Sequence, residues 1–250
     1  MGYFESVRHV VIKADIVLLV IDARMPDMTR NVELEELVDR TGKNLVYVFN
    51  KCDLVSQGDL KKLKDKFSNA FFVSGVKNRG IANLRTGILI IARRMGIELP
   101  HVGVIGYPNV GKSAIINALA HGSRTKVSSV AGTTKGLQWV KVGKIRVIDS
   151  PGVIQYTEGE KKLGLMGAKN PEQMRDPDIV AGEIIEHCLK KNKASFEKYY
   201  GIKIAEGAST EEILIEIGKK RGFLAKGGIV DEKRTSINII REWQTGKLKI

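Results

Sequence analysis

Cysteine is scarce in this chain. Cys52 and Cys188 stand far apart in no metal-like spacing, which excludes a disulfide framework or a cysteine-based zinc site and fits a reducing compartment. Long apolar runs are missing too. The longest, "IVLLVI" and "ILIIA", fall far short of the roughly 20 residues a bilayer crossing needs. No basic-then-apolar leader with a cleavage site opens the chain, so export has no support, and a cytoplasmic protein without membrane attachment is expected. Internal repeats and low-complexity tracts are absent. Acid is in short supply: 28 Asp+Glu against 41 Lys+Arg leave a formal net charge of +13.

What is present is the composition of an ordinary globular protein, 43% apolar and 28% charged over 250 residues. That length suffices for one large domain or one and a half. Residues 1–157 carry 23 Lys+Arg against 13 Asp+Glu, and residues 158–250 carry 18 against 15. A surplus of this size suggests a polyanionic partner, RNA being the usual one; the plain alternative is a solvated basic surface.

Apolar runs alternate with helical stretches up to about residue 157, the pattern of an α/β domain with a mostly parallel sheet. "ADIVLLVID", "NLVYVF", "AFFVSG" and "HVGVIG" read as strands. "VELEELVDRTG", "GDLKKLKDKF", "IANLRTGILIIARRMG" and "KSAIINALA" read as helices between or after them. "GLQWVKVGKIRVIDSPG" reads as a hairpin turning at Gly143. Beyond residue 157 only amphipathic helices are signalled, with capping residues in front and glycine behind. The expected organisation is a nucleotide-binding domain over 1–157, a linker over 158–171 and a helical domain over 172–250.

Four segments carry chemistry. "GYPNVGKS", Gly106 to Ser113, has the form of a phosphate-binding loop between a strand and a helix. Its glycines let the backbone wrap phosphates, and the N–H groups of Asn109, Val110, Gly111, Lys112, Ser113 and Ala114 would point inward at the helix start. Lys112 reaches the β- and γ-phosphates, and the Ser113 hydroxyl ligates Mg²⁺. "DSPG" supplies Asp149 for the metal and the Gly152 N–H for the γ-phosphate, while "AGTTKG" offers Thr133 and Thr134, with Thr134 favoured for Mg²⁺. "NKCD" supplies a guanine reader. The Asp53 carboxylate accepts from N1–H and the exocyclic amine, Asn50 ties the loop together, and Lys51 lies along the base. Ser74 and Gly75 in "VSG" would add backbone donors for the guanine carbonyl, chiefly at Gly75. Lys112, Thr134 and Gly152 are the candidate catalytic groups.

The order is unusual, because the base reader comes before the phosphate loop. Both need only be neighbours at one rim of the sheet, and a chain with close termini can be reopened elsewhere. The expected fold is therefore a circularly permuted P-loop GTPase domain followed by helices.

"DARMPDMTRN", "NKCDL", "GYPNVGKSAIINAL", "AGTTKGLQWVKVG" and "DSPGV", in this order, resemble the circularly permuted GTPases of the YlqF/RbgA family. The tail "GFLAKGGIVDEKRTSINIIREWQTGKL" is also similar to that family's, so the likeness spans nearly the whole chain. The resemblance implies GTP/GDP and Mg²⁺ as ligands, and the large ribosomal subunit or its precursor, with ribosomal RNA, as partners. A monomer is favoured. The family often begins with a longer helix carrying a Pro-Gly-His-Met segment; this chain starts too near its first strand to contain it, and His9 receives no catalytic role. Ala114 stands where a threonine is frequent. Val153 follows "DSPG" in place of a water-orienting glutamine, so unassisted hydrolysis should be slow. Asn109 resembles the asparagine that helps bind potassium in related enzymes, the alternative being a brace for the loop. Two other classes stay open, a GTPase switch in RNA modification or signalling through a protein effector, and an RNA-binding module that has lost its nucleotide.

Overall fold

The computed structural model describes residues 3–67, 69–121, 139–149, 160–167 and 169–250. The chain divides into two compact units, Met1–Gln155 and Tyr156–Ile250.

The first unit runs α1 (Tyr3–Lys13), β1 (Ile16–Asp22), α2 (Pro26–Thr29), α3 (Val32–Arg40) and β2 (Asn44–Asn50). It continues through α4 (Gln57–Lys66), β3 (Phe71–Phe72), α5 (Ile81–Arg94), β4 (His101–Ile105), α6 (Lys112–His121), β5 (Trp139–Val142) and β6 (Ile145–Asp149). The six strands form one sheet in the order β3-β2-β1-β4-β6-β5. All neighbours are parallel except the β5–β6 hairpin at one edge, which turns through Gly143 at φ 60°. Every residue of central β1 is buried, as expected of a strand covered by helices on both faces. The expected strand at "AFFVSG" pairs only through Phe71 and Phe72, after which the chain bends into a turn closed by a Ser74–Arg79 bridge.

Helix α1 lies in a stretch that carried no expected element. Val7, Val10 and Val11 are fully buried, a spacing that sets one apolar stripe against the sheet at β4. His9 is on the exposed side of this helix.

The second unit holds α7 (Glu160–Leu165), α8 (Pro177–Tyr200), α9 (Thr210–Arg221) and α10 (Glu232–Gln244). Helix α8 bends at Asn192, whose backbone is extended; its side-chain oxygen accepts from Ser195 N at 3.0 Å and restarts the helix. α9 carries a capping box of Ser209 and Glu212. At the core, Trp243 is fully buried and its indole N–H donates to Leu165 O at 2.8 Å. The neighbouring Glu242 accepts from Tyr200 Oη at 2.9 Å and pairs with Arg221 at 3.3 Å. Burial first, and Glu242 second, push the Tyr200 hydroxyl well above the usual phenol value.

One expected boundary changes. The stretch 158–171, read as a linker, contains α7, and Leu165 and Met166 are buried in the helical unit. The buried Trp243 indole finds its hydrogen-bond acceptor on this segment. Among the described residues no helix is long and apolar enough to cross a membrane.

Candidate functional site

Strands β4, β2 and β3 each end in a loop at the same rim of the sheet, where ligands sit in open α/β folds. After β4, the loop from Gly106 to Gly111 turns through three left-sided conformations, Gly106 at φ 141°, Asn109 at φ 56° and Gly111 at φ 97°. Successive amides in such a turn converge into an anion-binding nest at the start of α6. Lys112 opens α6 and is buried, its ammonium folded back to donate to Tyr107 O at 2.8 Å and Gly106 O at 3.2 Å. Asn109 and Ser113 are exposed.

After β2, Lys51 takes a left-handed conformation at φ 63° and Cys52–Leu54 form a single tight helical turn. Asp53 lies half-buried on this turn. The parallel register sets Asp22 of β1 beside Asn50 of β2, and Ala23 N donates to Asn50 O at 2.9 Å. Asp22 then takes three bonds from Arg24, through N, Nε and Nη2 at 3.0, 3.1 and 2.8 Å, and a fourth contact from Lys51 Nζ at 2.8 Å. Burial alone would raise the Asp22 carboxyl, but Arg24 and Lys51 outweigh it and hold it well below the usual carboxylate range. Burial draws the Lys51 ammonium below the ordinary lysine value, against the pull of Asp22. Burial likewise pushes the Cys52 thiol up to about 12, away from the thiolate form that reacts.

One carboxamide joins the loops. Asn50, only 2% exposed, donates from Nδ2 to Val110 O of the phosphate loop at 2.8 Å and accepts at Oδ1 from Gly75 N at 3.0 Å. The fit leaves no room for side chains at the two glycines. A Cβ on Gly75 would lie 2.9 Å from the Ala114 carbonyl carbon, and one on Gly111 would lie 2.1 Å from Asn50 Nδ2. Segments more than fifty residues apart in the chain thus form one cradle, with the phosphate nest at one side and the Asp53 turn at the other.

Comparison with known proteins gives the same picture in two pieces. The model of the 50S ribosome-binding GTPase family matches residues 101–205, and that of the elongation factor Tu GTP-binding domain matches residues 1–94. The chain carries the fold of YlqF from Thermotoga maritima, solved with a bound GTP analogue, at a TM-score of 0.64 and 23% identity, covering 98% of this chain and 94% of that one. The fold is that of a circularly permuted P-loop GTPase domain followed by helices. An uncharacterized GTP-binding protein of Methanocaldococcus jannaschii is 43% identical over 98% of the chain. The nuclear GTP-binding protein NUG1 of Saccharomyces cerevisiae is 31% identical over 99%, and nuclear/nucleolar GTPase 2 of Oryza sativa 33% over 96%. The chain spans 65%, 55% and 46% of these relatives' lengths, respectively.

The two residues of the second base loop have partners within the protein. The Gly75 N–H, expected to meet a guanine carbonyl, donates to Asn50 Oδ1 here, and its place against the Ala114 backbone links the loops. The Ser74 hydroxyl accepts from Lys77 N at 3.1 Å and closes the turn after β3. Asp149 ends β6 in register with Val104 of β4, beside the phosphate loop; its side chain, with Thr133, Thr134 and Gly152, lies outside the described residues. The Asp22–Arg24 pair entered the sequence reading only as part of a family signature. Its signal was a charged dyad at the end of a strand otherwise wholly apolar.

Proposed function

We propose that this circularly permuted GTPase binds and hydrolyses GTP and uses the cycle in assembly of the large ribosomal subunit. The Asn50 bridge carries the nucleotide part, since it holds a base reader and a phosphate nest in one cradle. Asp53 accepts from guanine N1–H and the exocyclic amine, a donor pair that adenine lacks. The nest from Asn109 to Ala114 takes the phosphates, and Lys112 turns from the Gly106 and Tyr107 carbonyls to the β- and γ-phosphate oxygens. The donor set also suits a hard divalent cation. Ser113, exposed at the start of α6, Asp149 and Thr134 would hold Mg²⁺, which when bound neutralises charge developing on the phosphates.

Val153 offers no hydrogen bond to the attacking water, so hydrolysis by the chain alone is slow. A ribosomal particle, or potassium at Asn109, supplies the missing stabilisation. The ribosomal part is supported by the match to the 50S ribosome-binding GTPase model, by nucleolar naming of a relative and by the net charge of +13, which suits ribosomal RNA. The chain from Thr133 to about Tyr156 leads into the helical unit, so release of the switch segment on loss of the γ-phosphate would reach that unit first.

Steady-state GTP hydrolysis, with and without large-subunit particles and in potassium against sodium, tests this. A slow rate raised by particles is expected. A rate indifferent to particles overturns the ribosomal role, and binding of ATP as tight as GTP overturns the nucleotide assignment.

A further inference from the structure

The helical unit carries a second concave site, unrelated to the nucleotide cradle. Residues Phe223 to Asp231 form a tight hairpin-like loop, closed by Ala225 N to Ile229 O and Asp231 N to Phe223 O, both 2.8 Å. Phe223 and Asp231 at the ends of this loop, Glu172 and one face of α10 line an open hollow of about 530 Å³, within the range of sites that hold a small polar ligand, roughly 300–1,000 Å³. Two features of its wall point to one chemistry.

The Arg234 guanidinium lies over the Phe223 ring, 4.7 Å from its centroid, and Arg234 is otherwise exposed. A guanidinium plane backed by an aromatic ring is a platform on which a further flat ring can stack. Acid at the mouth is already committed. Glu172 pairs with Arg241, and Asp231 Oδ1 accepts from Arg234 N at 2.9 Å to cap α10. Lys233 and Arg234 are exposed cations with no carboxylate partner among the described residues. Asn238 also lines the hollow.

We infer that this cavity takes one unpaired nucleotide of a single-stranded RNA segment. The base stacks on Arg234, and Lys233 and Arg234 meet the flanking phosphates. The assignment rests on the RNA-partner part of the proposed function and gives it a place. A duplex fits poorly, because its base edges are already paired and its rings already stacked.

Fluorescence anisotropy on the full chain, with a mixed-sequence twelve-nucleotide RNA single-stranded and as a duplex, tests the inference. Each variant is checked for melting temperature and GDP binding, which should match the parent. Arg234→Lys keeps the charge and loses the plane. It should weaken single-strand binding about tenfold, within the range for losing one stacked base, with the salt dependence unchanged. Lys233→Glu with Arg234→Glu should weaken it further and lower the salt slope by about 1.4, two phosphates at ~0.7 each. Lys190→Glu on α8 should shift binding less than twofold. Loss of binding in the two Arg234 variants alone supports the site. If the parent binds RNA and these variants bind it equally, the cavity is excluded while the RNA partner stands. If the duplex binds as tightly as the single strand, the unpaired base is excluded. If the parent binds large-subunit particles but neither extracted ribosomal RNA nor the oligonucleotide, a ribosomal protein is the partner and both fail.

Discussion

Asp22→Asn is the most informative single change in the first unit. It removes one charge from a cluster in which Asp22 and Arg24 side chains are 4% and 2% exposed and Lys51 is 16% exposed. Arg24 and Lys51 are then left beside each other with only an amide between them. Removing one partner of a buried ion pair costs about 3–5 kcal/mol. An independent ceiling comes from Lys51, which can shed its proton. From the ordinary lysine value that costs about 4 kcal/mol at pH 7.5, and less here because burial already lowers the Lys51 pKa. The two figures agree at about 3–4 kcal/mol, or roughly 6–16 °C in melting temperature for a unit of this size. The deficit should shrink as pH rises towards 9, because Lys51 neutralises more easily. In the parent, the depressed Asp22 carboxyl contributes stability that is fully present above the ordinary aspartate range and erodes as pH falls below about 4. Thermal melts of both proteins from pH 6.5 to 9, with GDP affinity measured alongside, provide the assay. A melting shift under about 2 °C at pH 7.5 would refute the claim that this cluster holds the base loop.

Asn50→Ala deletes the bridge and leaves Val110 O and Gly75 N–H without that partner. At about 1–3 kcal/mol per unsatisfied buried group, guanine nucleotide affinity should fall at least tenfold by equilibrium titration, and a loss under twofold would contradict it. Gly75→Ala forces a Cβ to 2.9 Å from the Ala114 carbonyl carbon, so it should weaken nucleotide binding with Asp53 and Lys112 intact; unchanged affinity would show that the loops need not meet there. With its thiol pushed up to about 12, Cys52 should resist alkylation at pH 8 in the native protein and react after denaturation. Mass spectrometry of the modified peptide decides, and rapid native labelling would count against the burial.

Much of the site was legible because its parts are local. A glycine-lysine-serine turn between strand and helix, and "NKCD" at a strand end, state their chemistry within eight residues or fewer. Their union was inferred from strand order, and the sheet order β3-β2-β1-β4-β6-β5 supplies it. Other features depend on distant partners and left no local trace. The bond from the Gly75 amide to Asn50, twenty-five positions away, has no local signal. Segment 160–167 reads as polar linker, yet the Trp243 indole draws it into a core. Helix α1 was legible in principle, since Val7, Val10 and Val11 keep helical spacing.

The central claim is that two segments remote in the chain hold one guanine nucleotide. It is tested most directly by xanthosine triphosphate binding to Asp53→Asn, alone and combined with Lys112→Ala. An amide at position 53 can donate to the xanthine C2 carbonyl where the carboxylate accepted from the guanine amine. The single variant should therefore exchange GTP for the xanthine nucleotide, and the double variant should bind neither. Retained preference for GTP in Asp53→Asn, or xanthine nucleotide binding undiminished by Lys112→Ala, would contradict it.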